Sequence, residues 1–458
     1  MSDTQKTNTK IGIGEKFCFL LTNIGNIPLM VLLSMFLTFF YTEVVGLDAG
    51  AVATLFLLSK VVDGISDPVM GYLMDRVKPT KMGRFRPMLI MGTIICSINY
   101  VLVWFGPAWA PGAKIAIAYI SYLALGITFD IMDISLNSML PLMTDDLKTR
   151  DQLTTIKMFG YMGGAMALSI IGPMIVADGQ ISSYYKLIFG ALFIVVVFSI
   201  SGALGIHERV KAAPDNAEKY SFFDLMKIIC VRPVLVFFVI NLVTNTATMV
   251  QSGVNTYYYS FMMADKGGLA IMSFISIITL FGQIPGMLLS GVFSAKLGKK
   301  KTYIIGAVIF VLGVLLRIVD PTGLPILYAA SVIASFGSGI QSPLNYGIQA
   351  DNTNYVEYKT NRHAEAAIAS TSSFVTKCAQ GLGGAIPLYI LKAFGYIEQA
   401  PEQAASVNTG ILASLIYLPA ILFVVAIAVM AIGYNIDKKQ LDTMNAALIE
   451  KHAKEAAM

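Results

Sequence analysis

Charged side chains are scarce in this chain. Asp, Glu, Lys and Arg make up 13% of its 458 residues, about half of the roughly 25% that a soluble domain carries. Such a chain cannot coat itself with a watery surface, which excludes a soluble enzyme, a disordered regulator and a nucleic-acid-binding protein. Histidine is scarcer still. His207, His363 and His452 are the three present, all near polar stretches, and no nucleophile–base arrangement accompanies them. A membrane enzyme is therefore the least favoured class. The four cysteines (Cys18, Cys96, Cys230, Cys378) stand at no metal-ligand spacing. They read as small buried hydrophobes, not as a disulfide or zinc framework.

Apolar residues are abundant: 56% of the chain, with a mean hydropathy of +0.68. A bilayer-crossing helix needs about 20 mostly apolar residues. Windows of that kind fall at 17–41, 49–74, 87–106, 115–143, 154–177, 185–206, 231–263, 268–294, 302–319, 325–350, 364–394 and 407–434. These predict an all-α membrane protein of twelve spans joined by short loops, the longer spans tilted. Residues 1–10 are polar without a cleavage pattern, so the first apolar run reads as a span. Lysine and arginine set the orientation. With the amino terminus inside, 25 of the 33 basic residues share its side, five lie opposite (Lys114, Lys186, Lys266, Arg317, Lys392), and Lys60, Lys157 and Lys377 sit within spans. Both termini of this multi-pass protein are expected in the cytoplasm.

A charged connector at 207–230, carrying Pro214-Asp215-Asn216, separates a six-span half at 1–206 from a second at 231–434, with a tail at 435–458. A faint repeat supports the division. Gly71-Tyr72-Leu73-Met74-Asp75-Arg76 leads to Gly83-Arg84-Phe85-Arg86 after span two, and Gly291-Val292-Phe293-Ser294-Ala295-Lys296 leads to Gly298-Lys299-Lys300-Lys301 after span eight. A glycine facing a neighbouring helix allows close backbone approach, and the basic turn holds the loop at the cytoplasmic face. The pattern resembles the loop signature of the major facilitator superfamily, with the acid of the second copy replaced by Ala295. The resemblance implies two six-helix bundles rocking around a midplane cavity.

Seven charges lie inside the spans: Lys60, Asp63 and Asp67 in span two, Asp130 and Asp133 in span four, Lys157 in span five and Lys377 in span eleven. Each costs roughly 2.5–3.5 kcal/mol at a helix centre, on the order of 20 kcal/mol together if unpaired, against total stabilities of roughly 5–15 kcal/mol. They must pair, bind an ion or line a wet cavity. Asp63 and Asp67 are i,i+4 and share a face. Two carboxylates a turn apart repel, so either one keeps a proton or a cation sits between them. Ser66 adds a hard oxygen of the kind Na⁺ prefers. Asp130, Asp133 and Asn137 form a second stripe at i,i+3,i+7, and the lysines of spans five and eleven neutralise the empty site. A structural reading stands beside this one: Lys60, a turn from Asp63, holds that carboxylate, and Lys157 snorkels. The run Tyr257-Tyr258-Tyr259 reads as an interfacial belt.

The chain resembles the glycoside–pentoside–hexuronide:cation symporters over essentially its whole length. The matching residues are Phe40-Tyr41-Thr42-Glu43-Val44-Val45-Gly46-Leu47, then Asp63 through Ser66-Asp67-Pro68 to Met70-Gly71, and Gly83-Arg84-Phe85-Arg86-Pro87. Further matches are Ile131-Met132-Asp133, Asp151-Gln152-Leu153, and Asp351 with Tyr355 to Tyr358 and Arg362. The resemblance implies a cation site at Asp63 and Asp67, with Ser66 influencing ion choice and Lys377 nearby. It implies a sugar-binding acid at Asp133 and a basic sugar contact at Lys157. The family's span-one acid falls at Ile27, leaving Asn26 and Asn23 as the nearby polar groups, and its span-four tryptophan falls at Asn137.

These readings together predict a secondary active symporter that couples entry of Na⁺ or H⁺ to uptake of a sugar or glycoside and works as a monomer. Asp63 and Asp67 hold the ion, directly ligating it if it is Na⁺, and no other cofactor is expected. Asn26, Asp130, Asp133, Asn137, Lys157, Gln341 and Asn345 meet the sugar, and Asp75, Arg84, Glu357 and Arg362 close the inner gate. The competing classes are a proton-coupled exporter of the same fold and a non-transporting receptor on a transporter scaffold.

Overall fold

The computed structural model describes residues 11–144, 146–209, 228–360 and 365–437, with 440–441, 443–444 and 447–448 of the tail. Among the described residues twelve long helical stretches follow one another and no β-strand occurs. The first six are α1 (Ile13–Leu32, continued by π-helical turns at Leu33–Leu37 and Phe40–Val44), α2 (Ala49–Arg76), α3 (Phe85–Trp109), α4 (Lys114–Met143), α5 (Leu147–Ile175) and α6 (Ile181–Gly205). The next four are α7 (Arg232–Tyr257, closed by a π turn at Tyr258–Met262), α8 (Leu269–Leu297), α9 (Lys299–Leu316) and α10 (Leu324–Thr360). Then come α11 (Glu365–Ala393) and α12, which is split into Ala405–Leu412, a π turn at Ala413–Tyr417, and Leu418–Gly433.

Ten of these are long and apolar enough to cross a membrane. The remaining two differ for visible reasons. α9 has 18 residues and opens on three lysines, and α11 carries Glu365, Lys377 and Lys392 among small polar residues. Their charge dilutes the apolar signal without breaking the helix.

The chain forms two compact units. One comprises Met1–Ala217 with Glu398–Pro401, the other Glu218–Ile397 with Glu402–Met458. In the first, α3 packs on α4, α1 on α5 and α6, and α2 on α4. An aromatic knot of Phe36 and Phe40 from α1, Trp104 from α3 and Tyr184 from α6 ties it together. In the second unit α8 and α9 pack on α10, and α11 and α12 on α7, around a core that includes Phe237, Tyr303, Ile340 and Met430. Gly286 lets α8 lie against α10 backbone to backbone, since a Cβ there would strike the Phe336 carbonyl.

The repeated basic turns cap helix ends. Arg86 donates from Nε to the Ala203 carbonyl (2.9 Å) and from Nη2 to the Leu204 carbonyl (2.7 Å), at the end of α6. In the second unit Lys300 donates to the carbonyls of Ala431 (2.9 Å) and Tyr434 (2.6 Å), at the end of α12. Cations at these orphan carbonyls complement the helix dipole. The same device therefore binds α3 to α6 and α9 to α12. At the other end of the loop, Glu208 accepts backbone N–H bonds from Arg84, Phe85 and Arg86 at 2.8–3.0 Å, capping the start of α3.

Two expectations are corrected. Cys96 is buried and Cys18 and Cys378 are half-buried, but Cys230 is exposed, because it lies on the turn before α7 rather than in a span. Tyr257, Tyr258 and Tyr259 are all within 2% of full burial. The widened π turn directs them inward, and Tyr258 donates to the Pro321 carbonyl, so they form no interfacial belt. Most of the predicted connector, 210–227, lies outside the described residues.

Candidate functional site

The polar stripe of α4 meets α1 and α5 in a chain of hydrogen bonds. Asp133 accepts from Asn26 Nδ2 of α1 at 2.7 Å and from Asn137 Nδ2, one turn along α4, at 2.9 Å. Lys157 of α5 donates to Asn137 Oδ1 at 2.5 Å. Asn26 Nδ2 also lies 3.4 Å from the Tyr161 hydroxyl. The i,i+4 spacing that sets Asp133 under Asn137 also sets Lys157 under Tyr161, so two helices present matched pairs. Asn26 is 1% exposed, Asp133 half-buried, and Asn137 and Tyr161 exposed. The network therefore runs from the bundle interior out to an accessible face. Asn26 Oδ1 is buried there without a hydrogen-bond partner among the described residues. A carboxylate, two amides, an ammonium and a phenol in one row offer both donors and acceptors, the complement of a polyhydroxylated molecule.

The acids of α2 lie elsewhere in the same unit. Asp63 is 7% exposed, and its Oδ2 accepts from Lys60 Nζ at 2.7 Å. Gly126 of α4 leaves room for this carboxylate, since a Cβ there would collide with Asp63 Oδ1. Asp67 stands half-buried one turn further on, and the Ser66 hydroxyl donates to the Asp63 carbonyl at 3.4 Å. Two acids, one lysine and a serine on consecutive turns bring hard carboxylate and hydroxyl oxygens together with one built-in cation. Asp130 is buried one turn before Asp133.

The remaining predicted residues lie on other elements. Lys377, half-buried on α11, and Gln341 and Asn345 on α10 belong to the second unit. Gln341 is 5% exposed and turns its amide toward the Tyr303 carbonyl (3.5 Å), inside the bundle. Arg84 donates from Nη2 to the Met74 carbonyl at 2.8 Å, capping α2. Glu357 is buried in α10. Arg362 and the side chain of Asp75 lie outside the described residues. Sequence reasoning passed over Tyr161 and Gly126. The first carried a signal, its position four residues after Lys157, whereas the second is one glycine among 39.

Comparison with known proteins places the chain in a family. The family described as MFS/sugar transport protein matches residues 18–438. The chain is 30% identical over 393 residues to the glucuronide carrier protein homolog of Escherichia coli K12, covering 82% of this chain and 84% of that one. It is 28% identical over 453 residues to the isoprimeverose transporter of Lactiplantibacillus pentosus, covering 97% and 93%. Its structure is similar to that of the nucleoside transporter NupG, with a TM-score of 0.63 over 91% of this chain and 98% of that one; at 12% identity the likeness concerns the fold alone, which is that of the major facilitators. The family match runs from α1 to just past α12 and takes in both units with the polar network of α1, α4 and α5. The chain therefore belongs to the MFS/sugar transport protein family, as its resemblance to the glycoside–pentoside–hexuronide:cation symporters implied, and is a multi-pass membrane transporter rather than an enzyme.

Proposed function

We propose that the protein is a symporter that brings a sugar or glycoside into the cell together with Na⁺ or H⁺, from a bacterial inner membrane in which both its termini face the cytoplasm. The observation that carries the reading is the row Asn26–Asp133–Asn137–Lys157, whose alternating donors and acceptors complement sugar hydroxyls on an accessible face. Relatives named for a glucuronide and for isoprimeverose support a sugar-derived cargo.

Lys60 pairs with Asp63. An arriving cation settles between Asp63 and Asp67 and takes over that pairing, with the Ser66 hydroxyl available as a further oxygen. Asp133 then accepts two sugar hydroxyls at once in charge-assisted hydrogen bonds, and Lys157 and Asn26 donate to ring or hydroxyl oxygens. Coupling is reciprocal: whatever factor the cation adds to sugar affinity, the sugar adds to cation affinity.

Proteoliposomes of the whole protein test this with labelled mono- and disaccharides under imposed inward Na⁺ or proton gradients. Accumulation of at least one sugar above equilibrium is expected under one of the two gradients, and Asp63→Asn is expected to abolish it while leaving a folded protein. Uptake indifferent to both gradients would sink the symport reading. Gradient-driven expulsion of lipophilic cations would assign the chain to the exporters.

A further inference from the structure

A second polar site lies wholly within the C-terminal unit. At the end of the bundle remote from the Lys299–Lys301 turn, α7, α8, α9, α10 and α12 enclose a cavity of about 170 Å³. Gln251, Asn255, Gln283, Ser331, Ser335 and Arg317 supply its polar lining. Gln251 donates to the Leu415 carbonyl in the π turn of α12 (2.9 Å), and Ser335 to the Val332 carbonyl (3.0 Å). The side chains of Asn255 and Gln283 make no hydrogen bond among the described residues.

Arg317 makes this more than a water pocket. It caps the end of α9 and is half-buried, and its guanidinium has a single hydrogen-bond partner among the described residues, the Ser331 hydroxyl at 3.2 Å. A guanidinium has five N–H donors and does not give up its proton. The nearby carboxylate of Asp320 is occupied with the backbone N–H groups of Thr322 and Gly323 at 3.1 and 2.8 Å, and no carboxylate lies within ion-pair distance of Arg317 among the described residues. A fixed positive charge thus faces a polar cavity with its fork of donors largely unused. That fork matches a carboxylate, which it can hold through two parallel bonds. The volume exceeds what a carboxylate alone needs, several times the roughly 30 Å³ that a water occupies. The free amides of Asn255 and Gln283 are placed to bind hydroxyls beside it.

We infer that this cavity binds a hydroxylated carboxylate, a sugar acid, with its carboxyl group on Arg317 and its hydroxyls on Asn255 and Gln283. The ligand is either itself the cargo or a separate sugar acid that accompanies a neutral cargo. The inference extends the transport reading, but the binding it predicts stands independently of uptake.

Thermal unfolding of the whole detergent-purified protein tests it, with D-glucuronate, D-glucose and acetate at equal ionic strength. Glucuronate is expected to raise the midpoint by several degrees and acetate by much less. The glucuronate increment should vanish in Arg317→Gln, survive in part in Arg317→Lys, and shrink in Gln283→Leu, which keeps the charge and serves if Arg317→Gln fails to fold. No glucuronate shift in the native protein, an acetate shift equal to it, or an increment that persists through Arg317→Gln or, if that variant does not fold, through Gln283→Leu, overturns the inference. Labelled glucuronate separates the two sources. Arg317-dependent uptake makes it cargo; binding without uptake, with altered glucose uptake, makes it a companion ligand. If no sugar moves under any gradient but the Arg317-dependent increment remains, the symport reading falls and this site stands.

Discussion

Lys60 is the side chain whose role the structure changes most. From the sequence it has two readings, a member of the functional charged cluster or a residue that only holds Asp63, because i,i+3 spacing places a side chain on the right face without saying where a flexible ammonium ends. At 2.7 Å from Asp63 it is a built-in counter-ion. Removing one member of a buried ion pair costs roughly 3–5 kcal/mol, unless something else neutralises the partner. Lys60→Met is therefore expected to lower the unfolding midpoint in cation-free buffer and to recover most of the loss on addition of the coupling ion, more steeply than the native protein. A midpoint that falls equally at every Na⁺ concentration and pH would make Lys60 purely structural. Asp133 was legible as a sugar-binding acid only through family resemblance. Its partners Asn26 and Asn137 were legible as polar residues in apolar spans, while the hydroxyl of Tyr161 was hidden by the ordinary frequency of tyrosine.

Helix ends show where local pattern stops sufficing. Asp48 and Asp146 precede α2 and α5 as N-caps should, each accepting the N–H three residues on, at 2.8 and 2.9 Å, and such caps are readable from neighbouring residues. α3 is capped instead by Glu208, more than a hundred residues away, which no local pattern announces. Glu208→Ala strands three N–H groups and is expected to cost about 1–2 kcal/mol, read as a lower unfolding midpoint, with Glu208→Gln intermediate. The Asp146 cap carries a pH signature. The Thr149 hydroxyl, and after it the Thr149 N–H, hold its carboxyl below the ordinary carboxylate range. A depressed folded value means that its contribution is full above the ordinary aspartate value of about 3.9 and is lost as pH falls through the lower folded one. The difference in midpoint between native protein and Asp146→Ala should thus be constant from pH 7 to 5 and close at more acid pH; a difference that survives at pH 2 would assign it to packing.

For the molecule as a whole, the twelve-helix order was readable because apolar windows and basic turns are properties of long stretches, insensitive to the placement of any one side chain. The assignment of residues to one shared pocket was not, because it depends on how helices distant in sequence rotate against each other. Orientation rests on the uneven distribution of lysine and arginine, and the exposed Cys230 beside α7 offers a probe of it. A membrane-impermeant maleimide is expected to label Cys230 in inside-out vesicles and to spare it in intact cells, with Cys230→Ser as control. Labelling in intact cells would invert the topology.

The π turns set how the helix beyond them is rotated. α1 and α7 each close on one, Phe40–Val44 and Tyr258–Met262, and they occupy equivalent places, first helix of the first half and first helix of the second. A π turn is an α-helix holding one surplus residue, and a surplus residue rotates everything beyond it by about 100°. Removing a single residue from either turn would therefore swing the aromatic side chains it carries, Phe40 and Tyr41 in one and Tyr258 and Tyr259 in the other, out of register.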